Sequence, residues 1–78
     1  MTVEAMIYLP TITDVKNFIN TITNCGSDVD LKSGRYVVDA KSLMGIFSLD
    51  LDQAITIVYP IEEEWFIKEN ILNKWGVK

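Results

Sequence analysis

The chain contains two prolines, Pro10 and Pro60, and each closes a β-prone run directly ahead of a helical pattern. Proline has no N–H to give a sheet and its fixed φ suits the first turn of a helix, so it ends one element and admits the next. Before Pro10, Val3 to Leu9 is apolar and β-prone; before Pro60, Ile55 to Tyr59 is rich in β-branched residues. Both ends of the chain therefore read as strand followed by helix. The 78 residues form one domain over 1–78, with no repeat, low-complexity stretch or linker. A chain of this size buries only roughly 60–65% of its unfolded surface, so each core residue counts.

After Pro10, Thr11 stands three residues before Asp14, a capping-box-like start. Val15, Phe18, Ile19 and Ile22 follow the i, i+3, i+4, i+7 rule and predict one buried helix face. Asn24, Cys25 and Gly26 end that helix, with Gly26 expected in a left-handed stop. Asp28 to Asp39 reads as a hairpin with Ser33-Gly34 at its turn, which sets Lys32 opposite Arg35, Leu31 opposite Tyr36 and Val29 opposite Val38. Val29, Leu31, Tyr36 and Val38 then share an apolar face, with Asp30 and Val37 on the other. Ser42 is a good N-cap for one or two helical turns through Leu43-Met44-Gly45-Ile46-Phe47. The last helix is predicted from Ile61 to about Trp75, with Glu62, Glu63 and Glu64 in its first turn, where negative charge suits the helix dipole. Its expected inner stripe is Ile61, Trp65, Leu72 and Trp75, with Ile67 and Ile71 on the flank. The order is strand, helix, strand, strand, short helix, strand, helix: an α+β open sandwich with helices on one face of an antiparallel sheet.

Charge and chemistry then exclude whole classes of function. Seven Lys and Arg face eleven Asp and Glu, for a net charge of −4, and the cations are scattered. Nucleic-acid binding needs a basic stripe and is not expected. There is no histidine, which removes His-based zinc sites, Ser-His-Asp and Cys-His nucleophiles, and any histidine phosphoryl carrier. The single cysteine, Cys25, allows no internal disulfide and fits a reducing cytoplasm; with no cation near it in sequence, it reads as an inert thiol. No apolar run nears the ~18–20 residues of a membrane helix, and the N-terminus lacks a signal-peptide pattern. The acidic pairs Asp28/Asp30 and Asp50/Asp52, with Glu62 to Glu64, lack the spacing and glycine of a calcium loop and read as solvated turns and helix ends. Trp65 and Trp75, ten apart, read as packing on one helix face. Gly34 and Gly45 make no phosphate cradle. No metal or cofactor is expected, and no enzyme activity.

The stretch from Asp28 to Leu51, DVDLKSGRYVVDAKSLMGIFSLDL, carries a resemblance. Its sharpest part is Lys41-Ser42-Leu43-Met44-Gly45 followed by Ser48-Leu49, with the Asp28 to Gly34 hairpin at a matching distance upstream. It resembles HPr, the histidine-containing phosphocarrier protein of the bacterial phosphoenolpyruvate-dependent sugar phosphotransferase system, around that family's regulatory serine, K-S-[IL]-M-G…S-L. The resemblance implies an open-faced sandwich of four antiparallel strands and three helices, here with a shortened Leu51 to Ala54 loop. The family carries its phosphoryl group on a histidine at the start of the first helix, in a G-[IL]-H-A-R-P motif. Spacing back from Ser42 puts that histidine near Thr11, the arginine near Thr13 and the proline near Asp14, and none of the three matches. A threonine phosphate ester is a poor donor, so the ordinary phosphorelay is not expected.

What remains is the serine end. In the resembled family the serine matching Ser42 is phosphorylated by an ATP-dependent kinase, and the modified protein binds partners as a regulator. The plainer role is an N-cap alone, open to any serine at that place. The residues matching Leu43, Met44 and Phe47 form an exposed apolar patch that docks partner proteins, and Lys41 adjoins it. Here Ile46 is expected in the core, with Met44 and Phe47 partly exposed. The leading expectation is a cytoplasmic regulatory or binding module whose partners are proteins, including a serine kinase and phosphotransferase-system components. Two others stand beside it: a phosphoryl carrier on a residue other than histidine, for instance Asp14 as an acyl phosphate, and an α+β interaction subunit unrelated to sugar transport.

Overall fold

The computed structural model describes residues 1–77. Strands β1 (Thr2–Ile7), β2 (Asp30–Ser33), β3 (Tyr36–Asp39) and β4 (Ile55–Pro60) form one antiparallel sheet in the order β1-β4-β2-β3. Helices α1 (Ile12–Ile22) and α2 (Leu43–Phe47) and a C-terminal helix complete the α+β sandwich. The C-terminal helix starts as a 3₁₀ turn at Ile61–Glu63, continues as α-helix at Glu64–Ile67, widens to a π turn at Lys68–Leu72 and closes as α-helix at Asn73–Trp75.

Strand alternation decides which face the helices cover. Ile55, Ile57 and Tyr59 of β4 are buried, while Thr56 and Val58 between them are only half-buried. The register lines Ala5, Ile57, Leu31 and Val38 into one row across all four strands. Onto this face pack Val15, Phe18 and Ile22 of α1, Ile46 of α2, and Ile67, Ile71 and Trp75 of the C-terminal helix, all within one core cluster. Each large aliphatic or aromatic side chain so buried contributes about 1.5–3 kcal/mol relative to exposure.

The hairpin differs from expectation by one residue at its turn. Ser33 pairs with Tyr36, Lys32 with Val37, Leu31 with Val38 and Asp30 with Asp39, so Gly34-Arg35 forms the turn instead of Ser33-Gly34. Gly34 has φ 59° and no other described residue has positive φ, the sign pattern of a type II′ turn with glycine at its first central position. The correction moves each pairing by two residues and so leaves side-chain parity intact: Leu31 still faces the helices and Val37 still faces away. Val29 lies opposite Ala40, whose N–H donates to the Val29 carbonyl at 2.9 Å, and Tyr36 sits beside the turn, largely exposed.

Two further corrections concern helix ends and faces. Gly26 makes no left-handed stop, because α1 already ends at Ile22 and tightens through Asn24 N–H to the Thr21 carbonyl and Cys25 N–H to the Ile22 carbonyl. In the C-terminal helix the inner stripe is Ile67, Ile71 and Trp75, whereas Ile61 and Trp65 point outward, Trp65 being 74% exposed. An ideal α-helix drifts with every step of four residues; the wide turn at Lys68–Leu72 cancels that drift and keeps these three on one line. The two tryptophans therefore have opposite fates.

Urea denaturation checks this arrangement. Ile57→Ala is expected to lose about 2–5 kcal/mol of unfolding free energy, and Trp65→Ala to stay within about 0.5 kcal/mol of the parent.

Candidate functional site

Ser42 is held by a short relay out of β3. The Asp39 carbonyl accepts from Ser42 N–H at 3.0 Å, and the Asp39 carboxylate accepts from Lys41 N–H at 2.9 Å. This turn sets Ser42 in extended backbone, φ −100° and ψ 111°, the N-cap conformation. Its Oγ accepts from Gly45 N–H at 3.1 Å, and its carbonyl accepts from Ile46 N–H at 3.0 Å. Gly45 allows the close approach: a Cβ there would lie 3.0 Å from Val38 Cβ and 3.2 Å from Ser42 Oγ.

α2 has only five residues, and Ile46 alone is fully buried in it. Leu43 and Phe47 are each 41% exposed and Met44 80%, forming an apolar surface beside the half-buried Ser42. Leu43 also lines a shallow cavity of about 220 Å³ with Lys16, Ile19 and Asn20 of α1.

Lys41 faces elsewhere. Its Nζ donates to the Cys25 carbonyl at 2.8 Å, fastening the chain after α1 to the chain before α2. The Cys25 thiol is buried and donates to Glu63 Oε2 at 2.7 Å. Burial, and then the Glu63 carboxylate, push that thiol above its ordinary pKa, away from the reactive thiolate. Cys25, Lys41 and Glu63 are far apart in sequence, and no local pattern announces their meeting.

At the other candidate position, Thr11 caps α1. Its Oγ1 accepts from Asp14 N–H at 3.0 Å while its hydroxyl donates to Asp14 Oδ2 at 2.7 Å. Trp75 Nε1 donates to Asp14 Oδ1 at 3.2 Å, and the Trp75 ring meets Phe18 edge-on at 5.8 Å. The Thr11 hydroxyl, then the Trp75 N–H, hold the Asp14 carboxyl below its ordinary value. Asp14 thus clasps α1 to the C-terminal helix, with a donor on each oxygen. An open cavity of about 450 Å³ lies beside it, lined by Tyr8, Pro10, Asp14, Lys74 and Trp75 among others. The Thr11–Asp14 cap was legible from spacing; the tryptophan partner was not, since it arrives from the far end of the chain.

Among the described residues, no three His, Cys, Asp or Glu side chains gather as a metal-holding group. Asp50 accepts from Asp52 N–H at 3.1 Å and from Gln53 Nε2 at 3.3 Å, a self-capped turn. No helix among the described residues is long and apolar enough to cross a membrane.

Two substitutions check these local structures. Gly45→Ala is expected to cost about 1–3 kcal/mol in denaturant unfolding, because the new methyl crowds Val38 and Ser42. Asp14 has a folded pKa below its unfolded one, so its contribution is present above about pH 4 and is lost as pH falls through the folded value. Asp14→Asn is expected to flatten that acid limb of a stability-against-pH curve, and NMR titration of the parent to place Asp14 below an ordinary aspartate.

No family model matches the chain, and no curated protein does. Among solved structures it is similar to one described as the crystal structure of HPr-C-His from Thermoanaerobacter tengcongensis, at 26% identity and a TM-score of 0.71, over 91% of this chain and 86% of that one. The four-stranded antiparallel sheet with its three helices is therefore an HPr-like fold.

Proposed function

We propose that this chain is an HPr-like regulatory or protein-binding module related to the bacterial sugar phosphotransferase system, acting in the cytoplasm as a binding protein and not as an enzyme. The observation that carries the reading is the surface of α2. Leu43, Met44 and Phe47 stay exposed next to a capped serine, although Ile46 in the same helix is wholly buried. A methionine and a phenylalanine on a short helix form an adaptable docking face, and single exposed apolar residues do not usually cluster this way.

Ser42 supplies the means of control. A kinase would join Ser42 Oγ to the γ-phosphorus of ATP, releasing ADP and the hydroxyl proton. The product places close to two negative charges beside the apolar face and so changes which partner surface it suits. Lys41, engaged with the Cys25 carbonyl, steadies the turn instead of standing free as a phosphate contact.

The phosphocarrier role of the resembled family is not retained in this reading. The chain has no histidine, and the position near it in spacing, Thr11, serves as a helix cap. Asp14 as an acyl-phosphate carrier would need one carboxylate oxygen to surrender its bond to Thr11 or Trp75.

Mass spectrometry after incubation with ATP and the serine kinase of the family is the direct test. One added phosphate is expected on the parent and none on Ser42→Ala. With phosphoenolpyruvate and the general phosphotransferase enzyme, no stable phosphate is expected; a gain there would restore the carrier reading. If the kinase leaves Ser42 unmodified and Met44→Ser with Phe47→Ser changes no partner binding, the chain is an interaction subunit outside sugar transport.

A further inference from the structure

We infer that the free edge of β3 is a self-association surface, on which a second copy of this chain adds its own β3 antiparallel to make one continuous sheet from two molecules. β3 is the last strand in the order β1-β4-β2-β3, so one of its sides has no strand neighbour among the described residues. The ladder shows which backbone groups face that side. Ser33 and Tyr36 flank the two-residue turn as a hydrogen-bonded pair, and Ala40 N–H donates to the Val29 carbonyl at 2.9 Å. Tyr36, Val38 and Ala40 therefore direct their backbone groups toward β2, and Val37 and Asp39 direct theirs outward. The Asp39 carbonyl already accepts from Ser42 N–H, which leaves the Val37 N–H and C=O as a donor-acceptor pair facing open space.

Sheet edges of this kind are templates for strand pairing, and proteins usually guard them with lysine, proline or a bulge. Tyr36-Val37-Val38-Asp39 is short and carries one charge, Asp39, features that also blunt an edge, but it has no lysine or proline and pairs regularly with β2, and Tyr36 and Val37 are 68% and 58% exposed. The opposite edge is different. Near its end β1 is bridged by the chain after the last helix, with Val77 N–H on the Met6 carbonyl at 3.0 Å and Tyr8 N–H on the Trp75 carbonyl at 2.9 Å.

Register selects a second copy as the occupant. A two-fold axis through Val37 sets Val37 against itself, Tyr36 against Val38 of the second copy, and Arg35 against Asp39 of the second copy. The aromatic–β-branched and opposite-charge pairs each favour antiparallel pairing, and the symmetry makes each of them twice. By alternation Arg35, Val37 and Asp39 share the sheet face away from the helices, and Arg35 makes no ion pair among the described residues. Moving the axis to Val38 would instead set Arg35 against Lys41, two like charges. The charge pattern of the strand is complementary to itself in the register centred on Val37.

Sedimentation equilibrium of the full chain at low salt, from micromolar to millimolar concentration, tests this. The parent is expected to pass from monomer to dimer as concentration rises, with the Val37 amide protected from hydrogen exchange only at high concentration. Arg35→Asp is expected to weaken the dimer roughly ten-fold, and adding Asp39→Arg to it to recover the affinity, because the opposed charges are then restored. Since Asp39 also holds Lys41 N–H, melting temperatures accompany these measurements, and Val37→Lys, whose side chain leaves the monomer's core untouched, gives a second route to a folded monomer. A parent that stays monomeric throughout overturns the proposal. So does a dimer indifferent to both Arg35→Asp and Val37→Lys.

Discussion

The row Ala5, Ile57, Leu31, Val38 is the constraint on which the rest of this molecule depends. β4 lies between β1 and β2, and of the three residues that pair with both neighbours, Thr56, Ile57 and Val58, Ile57 is the one wholly buried beneath the helices. A sheet's side-chain period is two, so a slip of one residue anywhere in β4 would turn Ile55, Ile57 and Tyr59 to solvent. That cost fixes the register of β1 and β2 against β4, and through β2 the place where β3 ends and α2 begins. Val38, the last member of the row, touches the position of Gly45. The sheet register and the cap at Ser42 are parts of one packed structure.

Two polar links tie α1 and the chain after it to remote segments around this core. Asp14 receives donors from both Thr11 and Trp75, and Cys25 meets Glu63 while its carbonyl receives Lys41. Each link fastens α1 or the chain just after it to a segment remote in sequence. They consume the groups that reactive chemistry would have needed: a free carboxylate at the start of α1, a low-pKa thiol and an unengaged lysine. The apolar face of α2 escapes such use, because five residues can turn only one large side chain, Ile46, fully inward.

Much of the fold was legible because its signals are local. The prolines, the Thr11 and Ser42 caps, the 3.6-residue pattern over Val15 to Ile22 and the β-branched run at Ile55 to Tyr59 are each read within a few residues. Each element formed within a few residues of its expected place, β1 ending at Ile7 before Leu9 and Pro10, and β4 taking in Pro60. The burial of Ile46 and exposure of Met44 and Phe47 were expected from the shortness of α2 together with the exposed patch that the family resemblance implied. The hairpin turn was misplaced by one residue because Ser33-Gly34 and Gly34-Arg35 both offer a glycine. Both turns keep Leu31 on the same face beside Ile57, so face alternation within the hairpin does not distinguish them; in the folded sheet Leu31 meets Val38. The face of the C-terminal helix was misjudged for a related reason. A stripe drawn at constant 3.6-residue pitch cannot anticipate a π turn at Lys68–Leu72, and so it assigned Trp65 to the core in place of Ile67 and Ile71.

By itself, then, the sequence determined the kinds of element, their order and the chemistry open to them, since caps, periodicity and the lack of any histidine are properties of neighbours and of composition. Only the tertiary structure decided which tryptophan is inside, which strand edge stays open and what Lys41, Cys25 and Asp14 hold, because each depends on segments that meet only when the sheet has closed its register. Hydrogen bonds between such distant segments leave no trace in a local pattern; burial of the shared apolar row is what brings them together.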